Sequence, residues 1–327
     1  MNRYLIFRTD RIGDFIFSRI ITDAIKKKNS SNIIDFVCSS YNANYVRNFK
    51  DINKIFILDK YNLNLMIKNL IAINSEKYDY LIVLDGKRRS IFFSLLLSAK
   101  YKIAVLKDWR PFLLLKLFYD KFIINSEVKS QYNNFTSLAN LIDLKISKNI
   151  DYYKSYRFKK KSKYIIPSNF ILLHLDEKWF EGYYYKDFTY MNLNKKSFDL
   201  LIKTIFDKFK IPIIMTSGYT KVPILNEIIK KNFIKIKDDE FVSKKYKNRL
   251  QFFDNTDFQD IELIVKKSKA IICCEGAISH ISHSFGKITY ALIHNINIAT
   301  FWTNHMPKIK LITRNKISYI CKDLKKI

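Results

Sequence analysis

Residues 4–28 read YLIFRTDRIGDFIFSRIITDAIKKK. Tyr4–Phe7 is a short apolar run of β-favouring residues, and Asp14–Lys28 repeats its apolar residues at helical spacing. Between them lies a polar turn that ends on Ile12-Gly13. A strand that turns through a glycine into a helix opens a βαβ unit. The pattern continues outward from this stretch. Ile33–Val37, Lys54–Leu58, Tyr80–Leu84 and Lys102–Val105 read as strands, with helical stretches between most of them. Arg110–Phe122 and Gln131–Leu144 read as further helices. Alternation at this spacing predicts a parallel sheet with helices on both faces.

The basic stretch Lys154–Lys163 (KSYRFKKKSK) has no apolar period and reads as a linker. Beyond it the pattern restarts. Strands are expected at Phe170–His174, Ile211–Thr216, Ala270–Cys273 and Ile288–Ile293, and helices at Lys195–Lys208, Ile261–Lys267 and Ile278–Phe285. The expected fold class is α/β, with two Rossmann-like doubly wound parallel-sheet domains at 1–158 and 164–327. Facing across a cleft, such domains take ligands outside the carboxyl ends of their strands.

The 327-residue chain is 48% hydrophobic, enough for a core in each domain, and its formal net charge is +28. That charge invites an anionic partner, a nucleic acid or a membrane surface. An AT-biased genome would also produce it, because the chain is rich in Lys, Asn, Ile, Phe and Tyr and poor in Gly, Pro and Ala. No helix-turn-helix, RNP or zinc-finger pattern supports nucleic-acid binding. The four cysteines, Cys38, Cys273, Cys274 and Cys321, form no CxxC pair and no zinc spacing, and their scatter fits a reducing compartment. The N-terminus lacks the apolar core and cleavage site of a signal peptide. The longest apolar runs, Ile91–Ala99 and Pro111–Leu115, fall short of the roughly 18 residues a spanning helix needs. A cytoplasmic protein, soluble or peripheral to the membrane, is expected. Neither a metal nor a cofactor is expected. There is no persuasive DxD motif, and Asp238-Asp239, flanked by lysine, reads as a solvated turn.

Six glycines are present: Gly13, Gly86, Gly182, Gly218, Gly276 and Gly286. Gly13, Gly86, Gly218 and Gly276 closely follow predicted strands, where a ligand approaches the backbone or where the chain simply turns. Neither GxGxxG nor GxxxxGK[ST] occurs, which argues against a nicotinamide dehydrogenase and a P-loop kinase. Asp14 has two readings. It caps the first helix, or it stands at the ligand edge and takes a proton from an incoming hydroxyl. The second motif is Cys274-Glu275-Gly276-Ala277-Ile278-Ser279-His280, a strand end running into a helix. Its small residues free backbone N–H groups to meet a phosphate. Glu275 would repel a diphosphate and suits sugar hydroxyls better. His280 can donate to a phosphate oxygen or serve as a core imidazole, and His283 reads as structural.

Taken together, these motifs resemble the heptosyltransferases, glycosyltransferase family nine with the GT-B fold. The resemblance rests on RxDRIGD at residues 8–14, on the acid–small–small–x–x–His motif at Glu275–His280, and on Gly286-Lys287 before ITYALIH. It is extended by IDFVCSSYNANY at 34–45, YDYLIVLD at 78–85 and HLDEKW at 174–179. The family implies a metal-independent, inverting transfer of a sugar from a nucleotide-diphosphate donor, often ADP-heptose, to a lipopolysaccharide-core or other cell-surface glycan. Asp14 matches the family's general base. Lys178 resembles its phosphate-neutralising lysine, one place closer to Trp179 than usual. Glu275-Gly276-Ala277 stands where the family commonly has Asp-Thr-Gly. The donor set implied is Lys178, Gly218, Glu275, Gly276, Ala277 and His280. On the acceptor side stand Arg11, Gly13, Lys87, Arg88 and Arg89, cations suited to an anionic glycolipid. Trp109–Tyr119 is basic, aromatic and apolar, and reads either as a contact with the inner membrane leaflet or as a core helix. Two other readings stand beside the transferase: a catalytically silent nucleotide-sugar-binding protein of the same fold, and a basic nucleic-acid-binding protein.

Overall fold

The computed structural model describes the chain except residues 60, 107–114, 126–128, 148–150, 159–160, 181–190, 192 and 327. Gly182, Arg110 and most of the Trp109–Tyr119 stretch therefore lie outside the described residues. The chain divides into two compact units, Met1–Arg157 and Phe158–Ile327.

The first unit runs β1 (Arg3–Arg8), α1 (Ile12–Lys28), β2 (Ile33–Cys38), α2 (Ser40–Val46), β3 (Ile55–Ile57) and α3 (Leu63–Asn74). It continues with β4 (Tyr80–Val83), α4 (Arg88–Leu95), β5 (Tyr101–Leu106), β6 (Lys121–Ile124) and α5 (Gln131–Asn140). Among the described residues the sheet order is β3-β2-β1-β4-β5-β6, with every pairing parallel. Strands buried on both faces read as continuous apolar runs, and β1 and β2 are buried from their second residue onward. Register is reinforced by an aromatic ladder. Tyr4, Tyr80 and Tyr101 lie opposite one another on β1, β4 and β5, with ring centroids 4.8 and 5.4 Å apart.

Two expectations change here. The predicted helix Arg110–Phe122 gives way, within its described part, to a 3₁₀ turn at Leu115–Phe118 and to strand β6, whose Phe122-Ile123-Ile124 pairs with β5. The first half of the basic stretch is not a free linker. Tyr153 and Tyr156 are buried and pack on Phe49, and Arg157 N donates to Asn48 O at 2.8 Å. These aromatic contacts outweigh the polar composition of the segment.

The second unit contains β7 (Ile171–Leu175), α6 (Lys195–Phe209), β8 (Ile213–Ser217), α7 (Pro223–Asn232), β9 (Phe233–Lys237), β10 (Glu240–Ser243) and β11 (Lys247–Phe253). It ends with α8 (Phe258–Lys267), β12 (Ala270–Cys274), α9 (Ala277–Ser284), β13 (Ile288–Ile293), α10 (Ile296–Thr303), β14 (Ile309–Thr313) and α11 (Ile317–Lys326). The order β14-β13-β12-β7-β8-β11-β10-β9 repeats the first unit's plan and adds β10, antiparallel to both its neighbours, and the edge strand β9. Asp239, at φ 61°, sits in the tight turn joining those two strands. Trp179, Phe180 and Phe198 fill the core against β7 and β8.

Candidate functional site

Strand order reverses beside β1 in the first unit and beside β7 in the second. In doubly wound sheets, crevices open at such switch points, beyond the strand carboxyl ends. The residues singled out by sequence gather at these two edges.

In the first unit, the edge is made by the ends of β1 and β4. Asp85, only 2% exposed, ties them together. It accepts from Thr9 N at 3.0 Å, Thr9 Oγ1 at 2.6 Å, Ser90 Oγ at 2.8 Å and Lys87 N at 3.1 Å. Asp85 is therefore structural, and it holds the Arg8–Asp14 turn in place. Arg8 is buried with its guanidinium among several carbonyl and carboxylate oxygens. It donates to Asp14 O at 3.1 Å and Leu84 O at 3.0 Å, and stands 3.3 Å from Asp10 Oδ2. Asp10 also pairs with Lys87.

Asp14 takes up the capping role read for it, from the third position of α1. One carboxylate oxygen accepts from Arg11 N at 3.2 Å and so caps α1, and the other lies 3.5 Å from Arg8 Nη2. Burial raises its pKa above the ordinary carboxylate value. Arg8, the Arg11 N–H and Lys87 pull it back, Asp10 adds to the rise, and the net shift is upward. Gly13 is buried just before it, and Arg11 is exposed. Of the three cations after β4, Lys87 faces Asp10, Arg88 is exposed and Arg89 is half-buried.

In the second unit, β7 and β12 end side by side. Lys178 is 8% exposed, and its ammonium reaches the first turn of α9. It donates to Glu275 O at 2.5 Å and lies 3.5 Å from Asp176 Oδ2. Burial pulls its pKa down, but Asp176 and Glu275 outweigh that and leave it raised and charged. Glu275 has one carboxylate oxygen 2.7 Å from Arg314 Nη2. Burial raises the Glu275 pKa, against Arg314 and Lys178. Arg314 follows β14 with its side chain wholly buried and also donates from Nε to Leu292 O at 3.3 Å. A lysine and an arginine thus flank the amino terminus of α9, where the helix dipole and free N–H groups already favour an anion.

The backbone explains why two glycines sit here. Gly276 has φ +154° and ψ −155°, a region open essentially to glycine alone, and a Cβ there would stand 3.1 Å from Lys178 Nζ. At Gly218 a Cβ would meet Asp176 Cβ at 3.0 Å and Asp176 Cα at 3.1 Å. Replacing Gly276 with alanine should cost about 1–3 kcal/mol of stability and displace the Lys178 ammonium. Urea unfolding checks the first expectation, and an unchanged midpoint would contradict it.

Ala277 opens α9, and His280 lies half-buried one turn in. His283 packs edge-on against His305 with centroids 5.0 Å apart. Burial drives their pKa values down, to about 4 for His283 and about 2 for His305, where His283 and His280 add to the fall. Arg314 and Asp176 are site residues that sequence reasoning did not assign. The available signal for Arg314 was a cation closing the apolar run Leu311-Ile312-Thr313. Among the described residues, no group of three or more His, Cys, Asp or Glu is arranged to hold a metal ion.

No protein-family model and no curated protein matches the sequence. Solved structures do. E. coli heptosyltransferase WaaC, determined with ADP, superposes with a TM-score of 0.71 at 11% identity, covering 99% of each chain. A glycosyl transferase of family 9 from Veillonella parvula gives 0.70 at 10% identity, over 100% of this chain and 93% of the other. UDP-GlcNAc 2-epimerase from Methanocaldococcus jannaschii gives 0.59 at 14% identity, over 100% and 92%. The resemblance read in the sequence is thus met by structures alike over nearly the whole chain, and the fold of this protein is the GT-B fold of two Rossmann-like domains.

Proposed function

We propose that the chain is a glycosyltransferase that takes a sugar from a nucleotide-diphosphate donor. The observation that carries the reading is the Lys178–Gly276–Arg314 constellation at the amino terminus of α9. Lys178, one helix terminus and a glycine without a Cβ make a seat for a diphosphate, with Glu275, held by Arg314, beside it for sugar hydroxyls. Two of the similar structures support the ligand class, since one was determined with ADP and another acts on UDP-GlcNAc.

In this reading, Asp14 is the general base. It takes the proton as the acceptor oxygen bonds to the anomeric carbon and the carbon–oxygen bond to the diphosphate breaks. The single displacement inverts the anomeric centre and calls for no metal. Charge growing on the diphosphate is met by Lys178, the α9 amides and the helix dipole. The acceptor is an anionic glycolipid of the lipopolysaccharide-core kind, bound near Arg11, Lys87, Arg88 and Arg89. The donor sugar is a heptose or a relative of one. The protein works at the cytoplasmic face of the inner membrane as a peripheral protein. No helix among the described residues is long and apolar enough to cross a membrane.

Calorimetry with a nucleotide sugar and its bare nucleotide tests the donor assignment. Glu275→Gln should weaken binding of the sugar form more than that of the bare nucleotide. Equal loss for both would refute the sugar-facing role of Glu275.

A further inference from the structure

Two neighbouring helices of the first unit turn apolar side chains to solvent. In α3, Met66, Leu70 and Ile73 join the core, yet Ile67 and Ile71 on the other side are 47% and 66% exposed. A surface helix ordinarily carries polar residues there. The same happens at α4, where Ile91, Phe93 and Leu95 pack into that core while Phe92 and Leu96, four apart, are 59% and 63% exposed. The helices are joined at one end. Asn74 Nδ2 donates to Leu96 O at 3.0 Å, and Ser98 N donates to Asn74 Oδ1 at 2.9 Å. The turn before β6 adds exposed Leu117 and Phe118 and is fastened to α4 through Tyr119 Oη and Ser94 Oγ, 2.5 Å apart.

Charge selects the occupant. No Asp or Glu lies within Leu63–Asn74 or between Gly86 and Lys107, and the second interval holds Lys87, Arg88, Arg89, Lys100, Lys102 and Lys107. Lys68, Arg88 and Lys100 are exposed. The nearest carboxylates are engaged, Asp120 by Lys102 N at 2.7 Å and Glu76 by Arg3 and Lys54. Apolar side chains among an excess of cations are the chemistry of an anionic bilayer surface, where the former enter the headgroup boundary and the latter meet lipid phosphates. A second copy docking by the same patch would oppose cations to cations about a two-fold axis.

We propose that the outward face of α3 and α4 is the surface by which this chain docks on a bilayer bearing anionic lipid headgroups. This deepens the peripheral-contact reading and rests on it. The test is co-sedimentation of the full chain with phosphatidylcholine vesicles, with and without phosphatidylglycerol. Parent protein is compared with the paired variants Ile67→Gln/Ile71→Gln and Phe92→Gln/Leu96→Gln, whose melting temperatures report folding and whose oligomeric state is read by light scattering. The parent should bind anionic vesicles in preference to neutral ones. Each paired variant should bind them at least about tenfold more weakly, since large apolar side chains would no longer be buried. If the parent binds but both variants bind as well as it does, this surface is wrong while peripheral contact stands. If the parent ignores anionic vesicles, both readings fall. Equal binding to neutral vesicles overturns the choice of anionic lipid. Loss of a dimer in the variants without change in vesicle binding assigns the face to a second copy and overturns the proposal.

Discussion

Replacing Asp14 with asparagine is expected to slow sugar transfer by roughly 10²–10⁴-fold, the range of a general base. Asparagine presents an amide oxygen that can still accept from Arg11 N at the third position of α1, so the fold should hold. Donor affinity should hardly change, because the donor residues belong to the second unit. The pH dependence separates the two roles further. Burial raises the Asp14 pKa, so the carboxylate forms only above the ordinary range, and the acid limb of the rate profile should lie there. The same shift makes a stability contribution that is full below the unfolded pKa. It is lost as pH rises through the folded value. The asparagine variant should lack both the acid limb and this loss. Single-turnover transfer at saturating donor and acceptor checks the rate, and a value within threefold of the parent would leave Asp14 as a cap alone.

Lys178→Met should weaken binding of a nucleoside diphosphate and lower transfer by roughly 10²–10³-fold, the usual effect of removing one preorganised electrostatic donor. The residue suits this role because its ammonium is buried and held against Glu275 O and Asp176, so little reorganisation attends ligand binding. Methionine fills similar volume without the charge. The loss should be confined to the phosphates, with affinity for the unphosphorylated nucleoside nearly unchanged. Titration calorimetry with both ligands decides this. Equal loss for both would mean that Lys178 shapes the site rather than neutralising a diphosphate.

Much of this arrangement is legible in the sequence because parallel strands buried on both faces leave continuous apolar runs. β1, β2, β4, β7, β12 and β13 all declare themselves in that way. The edges are harder. β9 alternates apolar with charged residues at the rim of the sheet, β10 is only four residues long with no alternation, and nothing local distinguishes them from an exposed helix or loop. β6 lies in an apolar interval that also fits a helical period, and only pairing with β5 decides its state. At the site, Asp14 and Glu275 stand out because each acid follows a strand. Arg314 is 39 residues from Glu275 in sequence, and the β13–β14 crossover that brings the two together has no local signature. Lys178 is visible in HLDEKW, but its reach across to Gly276 depends on the pairing of β7 with β12.

The central claim is that the second unit binds a nucleotide sugar at the amino terminus of α9. Native mass spectrometry of the purified chain in a mixture of nucleotide sugars tests it most directly, with a generic oligonucleotide as competitor. The expected result is one retained nucleotide-sugar adduct that survives the competitor and disappears in Lys178→Met. Absence of any such adduct, together with tight and steeply salt-dependent binding of the oligonucleotide, would contradict it.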